Sequence, residues 1–357
     1  MASSSIPNIN VIAALGLSDA SFESLPAGLI NASWLVVMPD GERRVLQRVN
    51  PIFPTTINDD IEVVTRHLQS FGVLTPMLIP SANGKLSNKI DDENWRQLTY
   101  ISGRTFDWIE NTHQAEEAGA LLGRFHTTVD GLDHRFSNVR LKVHDTVMHL
   151  TNLSAALKTH ENHTEISRVK FLANEIFELA SRLPKLGNQP ERIVHGDPKI
   201  SNIVFSSDTK KAKCLIDLDT LGHMPIVLEI GDACRSWCNP NAEDQTNSEF
   251  SILIFKSAVS GYAREAKSLL TKNEWHKIPA AILTITVELA ARFCADALNE
   301  SHFGWDPLRF RSPSSHNQAR TRSQINLAHS ISAQRERIET EVLTAFESHH
   351  DEQNHHL

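Results

Sequence analysis

The first hundred residues show the short alternating runs that are typical of β-strands. Residues 33–49 contain two runs of strand-forming residues on either side of Pro39–Gly41, which predicts a hairpin. Residues 76–90 predict a second hairpin, with its turn at Asn83–Gly84. Residues 95–101 predict one further strand, so this part of the chain is expected to form a small sheet.

Helical spacing appears once within this region and then dominates the rest of the chain. Residues 57–71 put four apolar side chains on one face: Ile61, Val64, Leu68 and Phe71. Residues 114–132 place five on one stripe: Ala118, Leu121, Leu122, Phe125 and Val129. A longer amphipathic stretch covers about 160–182, and residues 232–346 are expected to be mostly helical.

The change of pattern after Gly103 predicts an α+β protein with two lobes. Residues 1–102 are expected to form a small β-rich lobe with one helix, and residues 103–346 a larger, mainly helical lobe. Residues 347–357 form a polar, His-rich tail. Ligands commonly bind in the cleft between two such lobes.

Composition excludes several classes of protein. The chain has 357 residues and a formal net charge of −8, which argues against a general nucleic-acid-binding protein. Its four cysteines form no C-x-x-C pair, and this favours a reduced, cytoplasmic protein. The first residues do not resemble a signal peptide. The most apolar long segment, residues 278–298, contains Glu288, Arg292 and Asp296, so no membrane span is expected.

One short stretch concentrates the chemistry. Residues 193–205, IVHGDPKISNIVF, place Asp197, Lys199 and Asn202 between two apolar runs, and Asp217 follows at the end of the next strand. Phosphoryl transfer needs a carboxylate beside the attacking hydroxyl, a cation on the moving phosphoryl group and oxygen ligands for Mg²⁺. Asp197 suits the base, Lys199 suits the cation, and Asn202 and Asp217 suit the metal.

Each of these residues also has a simpler interpretation. Asp197 by itself would be a turn residue, and Lys199 a solvated lysine. The presence of Asn202 and Asp217 at the required offsets favours the functional interpretation. His195 is expected to brace the loop rather than to take part in the reaction.

The motif H-x-D-x-K-x-x-N with a strand-end aspartate resembles the catalytic loop of the protein-kinase-like fold. The form HGDPKISN followed by LIDLDT is similar to the small-molecule branch, which includes aminoglycoside phosphotransferases and choline, homoserine and sugar kinases. Between about Gly28 and Val342, further segments resemble the N-acetylhexosamine 1-kinase group: GLINASWLV, VLQRVN, HDT, IGDACR, ELAARF and HNQARTRSQINL. The resemblance implies a small-molecule kinase that uses ATP and Mg²⁺.

The resemblance also implies a phosphate-binding cation in the small lobe. Arg48 would be the strand-borne basic residue for the α- and β-phosphates of ATP. Its carboxylate partner would be Glu62 on the predicted helix, with Asp60 as the alternative.

Further nucleotide contacts are implied around the predicted sheet. A loop containing Gly28, Asn31 and Ser33 would cover the phosphates, although the sequence has no G-x-G-x-x-G. Leu98 and Tyr100, in the stretch that leads to the larger lobe, would hold the adenine.

Two acidic positions depart from the protein-kinase pattern. The metal-side motif is LIDLD rather than D-F-G, so Asp219 either assists the metal or orders the loop. Glu229 occupies a position where an aspartate is expected. A protein kinase is disfavoured because no A-P-E segment follows Asp217.

The acceptor is predicted from one helix. Glu288, Arg292 and Asp296 are spaced i, i+4 and i+8, and they form either surface ion pairs or a wall that binds substrate hydroxyls. The resemblance implies an N-acetylhexosamine or related sugar as acceptor and a sugar 1-phosphate as product. His302 replaces a tyrosine of that group, so an aminoglycoside or an amino alcohol remains an alternative acceptor. A nucleotide-binding protein without activity is the other alternative, and the oligomeric state is left open.

Overall fold

The computed structural model describes residues 6–25, 31–137, 144–208 and 210–351. Its smaller lobe is built on a six-stranded antiparallel sheet with the order β1-β2-β3-β6-β4, in which β5 also pairs with β6. The strands are β1 Ser21–Ser24, β2 Ala32–Val37, β3 Arg43–Val49, β4 Leu78–Ile79, β5 Asn88–Ile90 and β6 Glu93–Thr99.

The first predicted hairpin is confirmed and the second is wrong. Strands β2 and β3 pair from Ala32↔Arg48 to Val37↔Arg43. The turn at Asn83–Gly84 forms, but β4 and β5 do not pair with each other. Both lie along the same edge of β6, which is long enough to offer a partner to each of these short strands.

The two faces of the sheet are covered by different helices. On the outer face, Trp34, Leu46 and Trp95 pack against α1, Ile9–Ala14. On the inner face, Val49 and Leu98 belong to the same hydrophobic core as α2, Ile57–Ser70. Because side chains alternate along a strand, the face to which a residue belongs decides whether it can reach the larger lobe.

Helix α2 confirms the predicted apolar face except at its last residue. Ile61, Val64 and Leu68 are buried, whereas Phe71 is 67% exposed. The helix ends at Ser70, and Phe71 follows it as the C-cap residue, with φ −98° and ψ 10°.

The larger lobe consists mainly of helices. They are α3 Thr112–Val129, α4 Thr146–Thr159, α5 Ile166–Ser181, α6 Ile226–Trp237, α7 Ile252–Ala266, α8 Lys272–Trp275, α9 Ile278–Asn299, α10 Pro313–Ala333 and α11 Arg335–Asp351. The five predicted apolar residues of α3 are all buried, and so are the four cysteines, which are free thiols. The predicted polar tail from residue 347 begins inside α11, and residues 352–357 lie outside the described part of the chain.

Helix α9 is the central helix of this lobe. Within the described part of the chain it alone is long and apolar enough to cross a membrane, and 78% of its most apolar window is buried inside the protein. It packs against α4, α5, α6 and α10, so neighbouring helices cover its apolar side chains.

Two small antiparallel ladders frame the candidate catalytic loop. Strand β7, Glu191–Val194, pairs with β10, Gly222–Pro225, while β8, Ile203–Phe205, pairs with β9, Ala212–Leu215. The predicted strand-loop-strand arrangement is therefore present. The molecule has the predicted α+β architecture, with a small sheet-containing lobe and a larger helical lobe.

The two lobes join between β6 and α3, where the predicted boundary at residue 102 falls. Arg104 and Phe205 exchange two backbone hydrogen bonds of 2.8 Å, which fasten the linker to β8. A Cβ atom on Gly103 would lie 2.4 Å from the Phe205 carbonyl oxygen, so this close approach requires glycine.

Candidate active site

The loop after β7 is held by close contacts with the turn that follows β9. Gly196 has a φ of +86°, and a Cβ atom there would lie 2.2 Å from the Thr220 carbonyl oxygen. The fully buried His195 ring lies 3.0 Å from the Ile216 carbonyl oxygen through Nε2, and the Thr220 hydroxyl donates to the His195 carbonyl at 2.8 Å. The predicted bracing role of His195 is confirmed, and the loop presents Asp197 from a rigid base.

Glu229 supports the same loop from α6. It accepts hydrogen bonds from the backbone N–H groups of Gly196, at 2.5 Å, and His195, at 3.3 Å. His126 contacts Glu229 through Nε2, and its Nδ1 lies 2.9 Å from the Tyr262 hydroxyl. All three side chains are buried. Glu229 therefore fills the expected aspartate position, and His126 and Tyr262 support it through hydrogen bonds.

Asp197, Lys199 and Asn202 are brought together as the spacing predicts. Lys199 Nζ donates to Asp197 Oδ2 at 2.6 Å, and Asn202 Nδ2 donates to the same oxygen at 3.1 Å. Among the described residues no donor reaches the other oxygen, Oδ1. Because Asp197 is about one quarter exposed, this oxygen is available to an incoming hydroxyl group.

Lys199 keeps its charge in this setting. Burial alone would lower the pKa of Lys199, but attraction to Asp197, and to Asp217 and Asp232 further away, outweighs burial and raises it. A protonated lysine therefore lies beside the position where a phosphoryl group would meet Asp197.

Asp217 is held in an unusual backbone conformation at the end of β9. Its φ of 66° and ψ of 58° lie in the left-handed region, which is uncommon for a residue other than glycine. Burial raises the pKa of its carboxyl group, and the charges of Asp219 and Asp197 raise it further, against the attraction of Lys199. No described residue donates a hydrogen bond to this carboxylate. A strained acid with excess local negative charge is suited to a cation.

Asn202 and Asp217 together fit a hard divalent cation. Asn202 Nδ2 is directed to the Asp197 carbonyl oxygen at 2.9 Å, which leaves the amide oxygen Oδ1 without a described donor. The described residues contain no group of three or more His, Cys, Asp or Glu side chains that could hold a metal ion. Mg²⁺ needs no such group, since it takes one or two carboxylates and completes its shell with phosphate and water.

Asp219 does not have free oxygens for a metal. Oδ1 accepts from Arg96 Nη1 at 2.6 Å, and Oδ2 accepts from Arg96 Nη2 at 2.8 Å and from Asn31 Nδ2 at 2.5 Å. Its placement among the metal ligands is therefore corrected. Of the two predicted roles for Asp219, the geometry supports ordering of the loop.

The expected ion pair between Arg48 and Glu62 does not form. Arg48 lies on the outer face of the sheet and pairs with Glu93 at 2.8 Å, while Glu62 contacts Arg66 in its own helix. The alternative partner, Asp60, contacts His134 Nε2 at 2.8 Å. Strand β3 turns Arg48 away from the catalytic loop because a shift of one residue exchanges the two faces of a strand.

The residue of β3 that does face the catalytic loop is Gln47. Its Oε1 accepts from Arg96 Nε at 2.9 Å, and its Nε2 donates to the Ser33 hydroxyl at 3.1 Å. Ser33 and Asn31 thus lie near this interior, whereas Gly28 lies outside the described residues. Gln47 and Arg96 were not predicted as site residues, although the alternation of Val45, Gln47 and Val49 indicates the inward position.

The predicted adenine contacts lie where the sheet meets the linker. Leu98 is buried on the inner face, and the Tyr100 ring stacks under the Arg43 guanidinium at 4.6 Å from its centre. Lys213 Nζ donates to the Ser102 carbonyl oxygen at 2.6 Å, which ties the linker to β9.

The three polar residues of α9 have separate roles, so the surface ion-pair interpretation is wrong. The buried Glu288 contacts His144 Nδ1 and accepts from the Thr146 hydroxyl, both at 2.9 Å. The buried Asp296 caps the following loop by accepting from the backbone N–H groups of residues 301–303 at 2.9 to 3.1 Å. Arg292 forms neither an ion pair nor a hydrogen bond with another described residue, and its guanidinium lies 5.7 Å from the Phe303 ring centre.

Asp232 was not predicted as a site residue, but its charge interacts with groups of α9 and of the candidate catalytic loop. Burial would raise the pKa of Asp232, but the charges of Arg235, His144 and Arg292 lower it. The charge of Asp232 in turn helps to raise the pKa of Lys199. The segment IGDACR was its sequence signal.

A sequence profile of the phosphotransferase enzyme family, APH, matches residues 21–250, which include the whole candidate catalytic loop and Asp232. The chain belongs to the phosphotransferase enzyme family. Its membership confirms the predicted enzyme class, a phosphotransferase of the small-molecule kinase type.

Solved structures with low sequence identity share the fold. An amicoumacin kinase, solved with AMP-PNP and Ca²⁺, is 17% identical with a TM-score of 0.56, and 86% of this chain and 88% of that chain are covered. A putative aminoglycoside phosphotransferase from Ralstonia eutropha is 13% identical with a TM-score of 0.56, and 88% of this chain and 93% of that chain are covered. A choline/ethanolamine kinase family protein from Mesorhizobium loti is 14% identical with a TM-score of 0.55, and 93% of this chain and 96% of that chain are covered. These likenesses confirm the two-lobed kinase-like fold.

Proposed function

We propose that the protein transfers the γ-phosphoryl group of ATP, with Mg²⁺, to a hydroxyl group of an N-acetylhexosamine or a related sugar. The product would be a sugar 1-phosphate and ADP. The proposal rests on the phosphotransferase family, on the chemistry of the loop around Asp197 and on one feature of the acceptor wall, the unpaired cation of Arg292.

The catalytic loop contains groups for each part of the transfer. Asp197 Oδ1 accepts the proton of the acceptor hydroxyl as its oxygen bonds to the γ-phosphorus, and the bond from that phosphorus to the β–γ bridging oxygen breaks. Lys199, which stays protonated, stabilises the negative charge that spreads over the phosphoryl oxygens. Glu229 holds the loop backbone in place, so Asp197 needs little rearrangement.

Asn202 and Asp217 would hold Mg²⁺ through one amide oxygen and one carboxylate. A bound Mg²⁺ neutralises phosphate charge and orients the β- and γ-phosphates. The need for it is strong in this chain, because no basic side chain of β3 faces the catalytic loop; Arg43 lies instead at the far end of the strand, over Tyr100.

The charges near the acceptor position favour a neutral acceptor. Arg235 neutralises Asp232, with Nε donating to Oδ1 at 3.0 Å, and Glu288 is occupied by His144 and Thr146. The remaining cation is Arg292. Its guanidinium has five N–H donors, and none of them bonds to an acceptor among the described residues. Hydroxyl and N-acetyl carbonyl oxygens are acceptors of this kind, whereas a cationic amine would be repelled.

An aminoglycoside or amino-alcohol acceptor is the second candidate. Asp197 and Asp217 give the catalytic loop an excess of negative charge; burial raises the pKa of Asp217, and the charges of Asp219 and Asp197 raise it further. A cationic acceptor would gain from that field only if it bound close to these acids and away from Arg292.

Product analysis distinguishes the two candidates. The purified protein is incubated with ATP and Mg²⁺ and with N-acetylglucosamine, N-acetylgalactosamine, kanamycin or choline, and phosphorus NMR identifies the product. We expect an anomeric phosphate on a sugar and no product in excess chelator. Phosphate on kanamycin or choline and on neither sugar would reverse the acceptor assignment, and ADP release without any acceptor would contradict both candidates.

A further inference from the structure

Arg96 of β6 is a buried arginine with no donor left for a ligand. Its side chain is 2% exposed. Nε and Nη2 donate to Gln47 at 2.9 and 2.7 Å, Nη1 donates to Asn58 at 3.2 Å, and Nη1 and Nη2 donate to Asp219 at 2.6 and 2.8 Å. These contacts use all five N–H groups of a guanidinium. Arg96 therefore cannot be the phosphate-binding cation of the small lobe.

The partners of Arg96 come from three different parts of the molecule. Gln47 lies on β3, Asn58 begins α2, and Asp219 lies in the turn after β9 in the larger lobe. Asn31 adds a fourth segment, since its Nδ2 donates to Asp219 and its Oδ1 accepts from the N–H of Asn50 at 2.9 Å. The network thus connects the start of β2, the sheet and α2 with one turn of the other lobe.

That turn also carries Asp217. Two residues before Asp219, Asp217 has its left-handed backbone conformation, and Ile216 donates its N–H to the Asn202 carbonyl at 2.9 Å. Asp217 has no described side-chain partner that would hold it. Contacts of Ile216 and Thr220 with His195 hold the turn within the larger lobe. Its connection to the smaller lobe is made by Asp219, through the bidentate ion pair with Arg96 and the hydrogen bond from Asn31.

We propose that Arg96 is a positioning residue that acts through Asp219 to hold Asp217 in the geometry required for a divalent cation. The function of the pair in metal binding rests on the proposed function. Arg96 thereby links β6 of the smaller lobe to the turn after β9 in the larger lobe. It does so without contacting the nucleotide.

A double-variant experiment separates positioning from stability. Removal of one member of a buried ion pair leaves an unpaired buried charge, so Arg96→Met and Asp219→Asn should each lower the Tm by on the order of 10 °C. The double variant Arg96→Met/Asp219→Asn leaves no unpaired charge, so we expect it to regain most of the Tm. The matched control is Arg192→Met/Glu274→Gln, which removes an ion pair that joins β7 to α8.

Two readouts are compared in the four variants and the unmodified protein. The first is the affinity for ADP, measured by calorimetry with Mg²⁺ and with chelator. The second is amide hydrogen exchange of residues 216–221 in the ligand-free protein. In the double variant we expect exchange to stay fast and the Mg²⁺-dependent part of ADP binding to stay about 10- to 100-fold weaker, the range found when a group that supports a metal ligand is lost. In the control variant both readouts should match the unmodified protein.

The results that would overturn the proposal are specific. A double variant that regained Tm, slow exchange and Mg²⁺-dependent affinity together would reduce the pair to a structural contact. If the double variant fails to fold, Arg96→Lys tests the positioning role, because lysine keeps the charge but cannot form the bidentate ion pair with Asp219. We expect it to fold and to bind Mg²⁺·ADP about 3- to 10-fold more weakly; unchanged affinity and unchanged exchange would contradict the positioning role.

Failure of the proposed function would be recognised separately. If the unmodified protein bound no ADP with or without Mg²⁺, the kinase assignment would fail. The exchange measurement needs no nucleotide, so it would still decide whether Arg96 orders the turn around Asp217.

Discussion

Two polar regions of the protein lie close together and differ in how their hydrogen-bonding groups are used. In the Arg96 network every guanidinium N–H has a protein acceptor and both Asp219 oxygens are occupied. In the catalytic loop, by contrast, Asp197 Oδ1 and the Asp217 carboxylate have no described donor. The buried network is complete without a ligand, whereas the loop is not.

This difference separates the frame from the groups that meet substrates. Buried polar groups that are fully paired resist rearrangement, because breaking one contact leaves another group unpaired. Groups without a protein partner give up no protein contact when a hydroxyl, a phosphate or a cation arrives. We therefore expect substitutions in the loop to lower turnover without lowering stability, and substitutions in the network to lower both.

The largest effect is expected from Asp197→Asn. The substitution keeps the shape of the side chain but removes the charge that accepts the hydroxyl proton. Turnover should fall by about 10²–10⁴, the usual scale for a positioned base. Steady-state measurement of ADP release checks the fall, and calorimetry with Mg²⁺·ADP serves as the control, since nucleotide binding should change little. Near-normal turnover would require a different base.

Asp217→Asn should lower turnover and raise stability. Loss of the carboxylate should reduce turnover by about 10²–10³, the loss expected for a group that helps a metal neutralise phosphate charge. Because the pKa of Asp217 is raised above its ordinary value of 3.8, its ionised form destabilises the folded chain. That destabilisation begins as the pH rises through 3.8 and is complete above the folded-state pKa.

Thermal unfolding in chelator tests the sign of this effect. At pH 7 the Asp217→Asn protein should have a higher Tm than the unmodified protein, and the difference should disappear near pH 3, where the carboxyl group is protonated in both states. A lower Tm at pH 7 would mean that Asp217 is paired in the folded state, which would contradict the contrast between the two regions.

Arg292→Met tests the acceptor wall. It removes five donors but keeps an apolar side chain beside Phe303, so KM for the acceptor should rise about 10- to 100-fold, as expected for the loss of a charged hydrogen bond. KM for ATP should stay the same. The control is Arg309→Met, which removes an arginine that also lies over a phenylalanine, at 5.3 Å from the Phe310 ring centre. If KM for the acceptor changed equally in Arg292→Met and Arg309→Met, Arg292 would have no part in acceptor binding.

The smallest effect is expected from Arg48→Gln. Arg48 and Glu93 are both nearly half exposed, and such surface pairs contribute about 0–1 kcal/mol to the free energy of unfolding. KM for ATP should change less than about twofold, within the scatter expected for surface substitutions. A large rise in this KM would return Arg48 to the phosphate-binding role that the sheet register excludes.

Local sequence pattern predicted much of the fold. The hairpin of β2 and β3, the apolar stripe of α3 and the strand-loop-strand around Asp197 each depend on neighbours within about 25 residues of the chain. The predicted burial of Phe71 and the predicted second hairpin were wrong, although both were derived from the same local pattern. Helix α2 ends one residue before Phe71, and the pairing of β4 and β5 is decided by β6, which offers its edge to both short strands.

The candidate site divides in the same way. Asp197, Lys199 and Asn202 lie within six residues, so their spacing alone brings them together. Arg96 and Asp219 are 123 positions apart, and no periodicity relates them. Arg48 and Gln47 are adjacent, yet they point to opposite faces of the sheet, and assigning the inward face required the register of β3 against β6.

By itself the sequence determined the family, the candidate catalytic loop and the two-lobed α+β architecture, because each depends on short-range patterns of spacing and polarity. Only the tertiary structure decided that Asp219 pairs with Arg96 rather than remaining free for a metal. It also decided that Arg292, of the three charged residues predicted on α9, has no ion pair or hydrogen bond with another described residue. Whether a polar side chain is satisfied depends on segments that meet in space. Hydrogen bonding saturates, so a group that already has a protein partner is no longer available to a ligand.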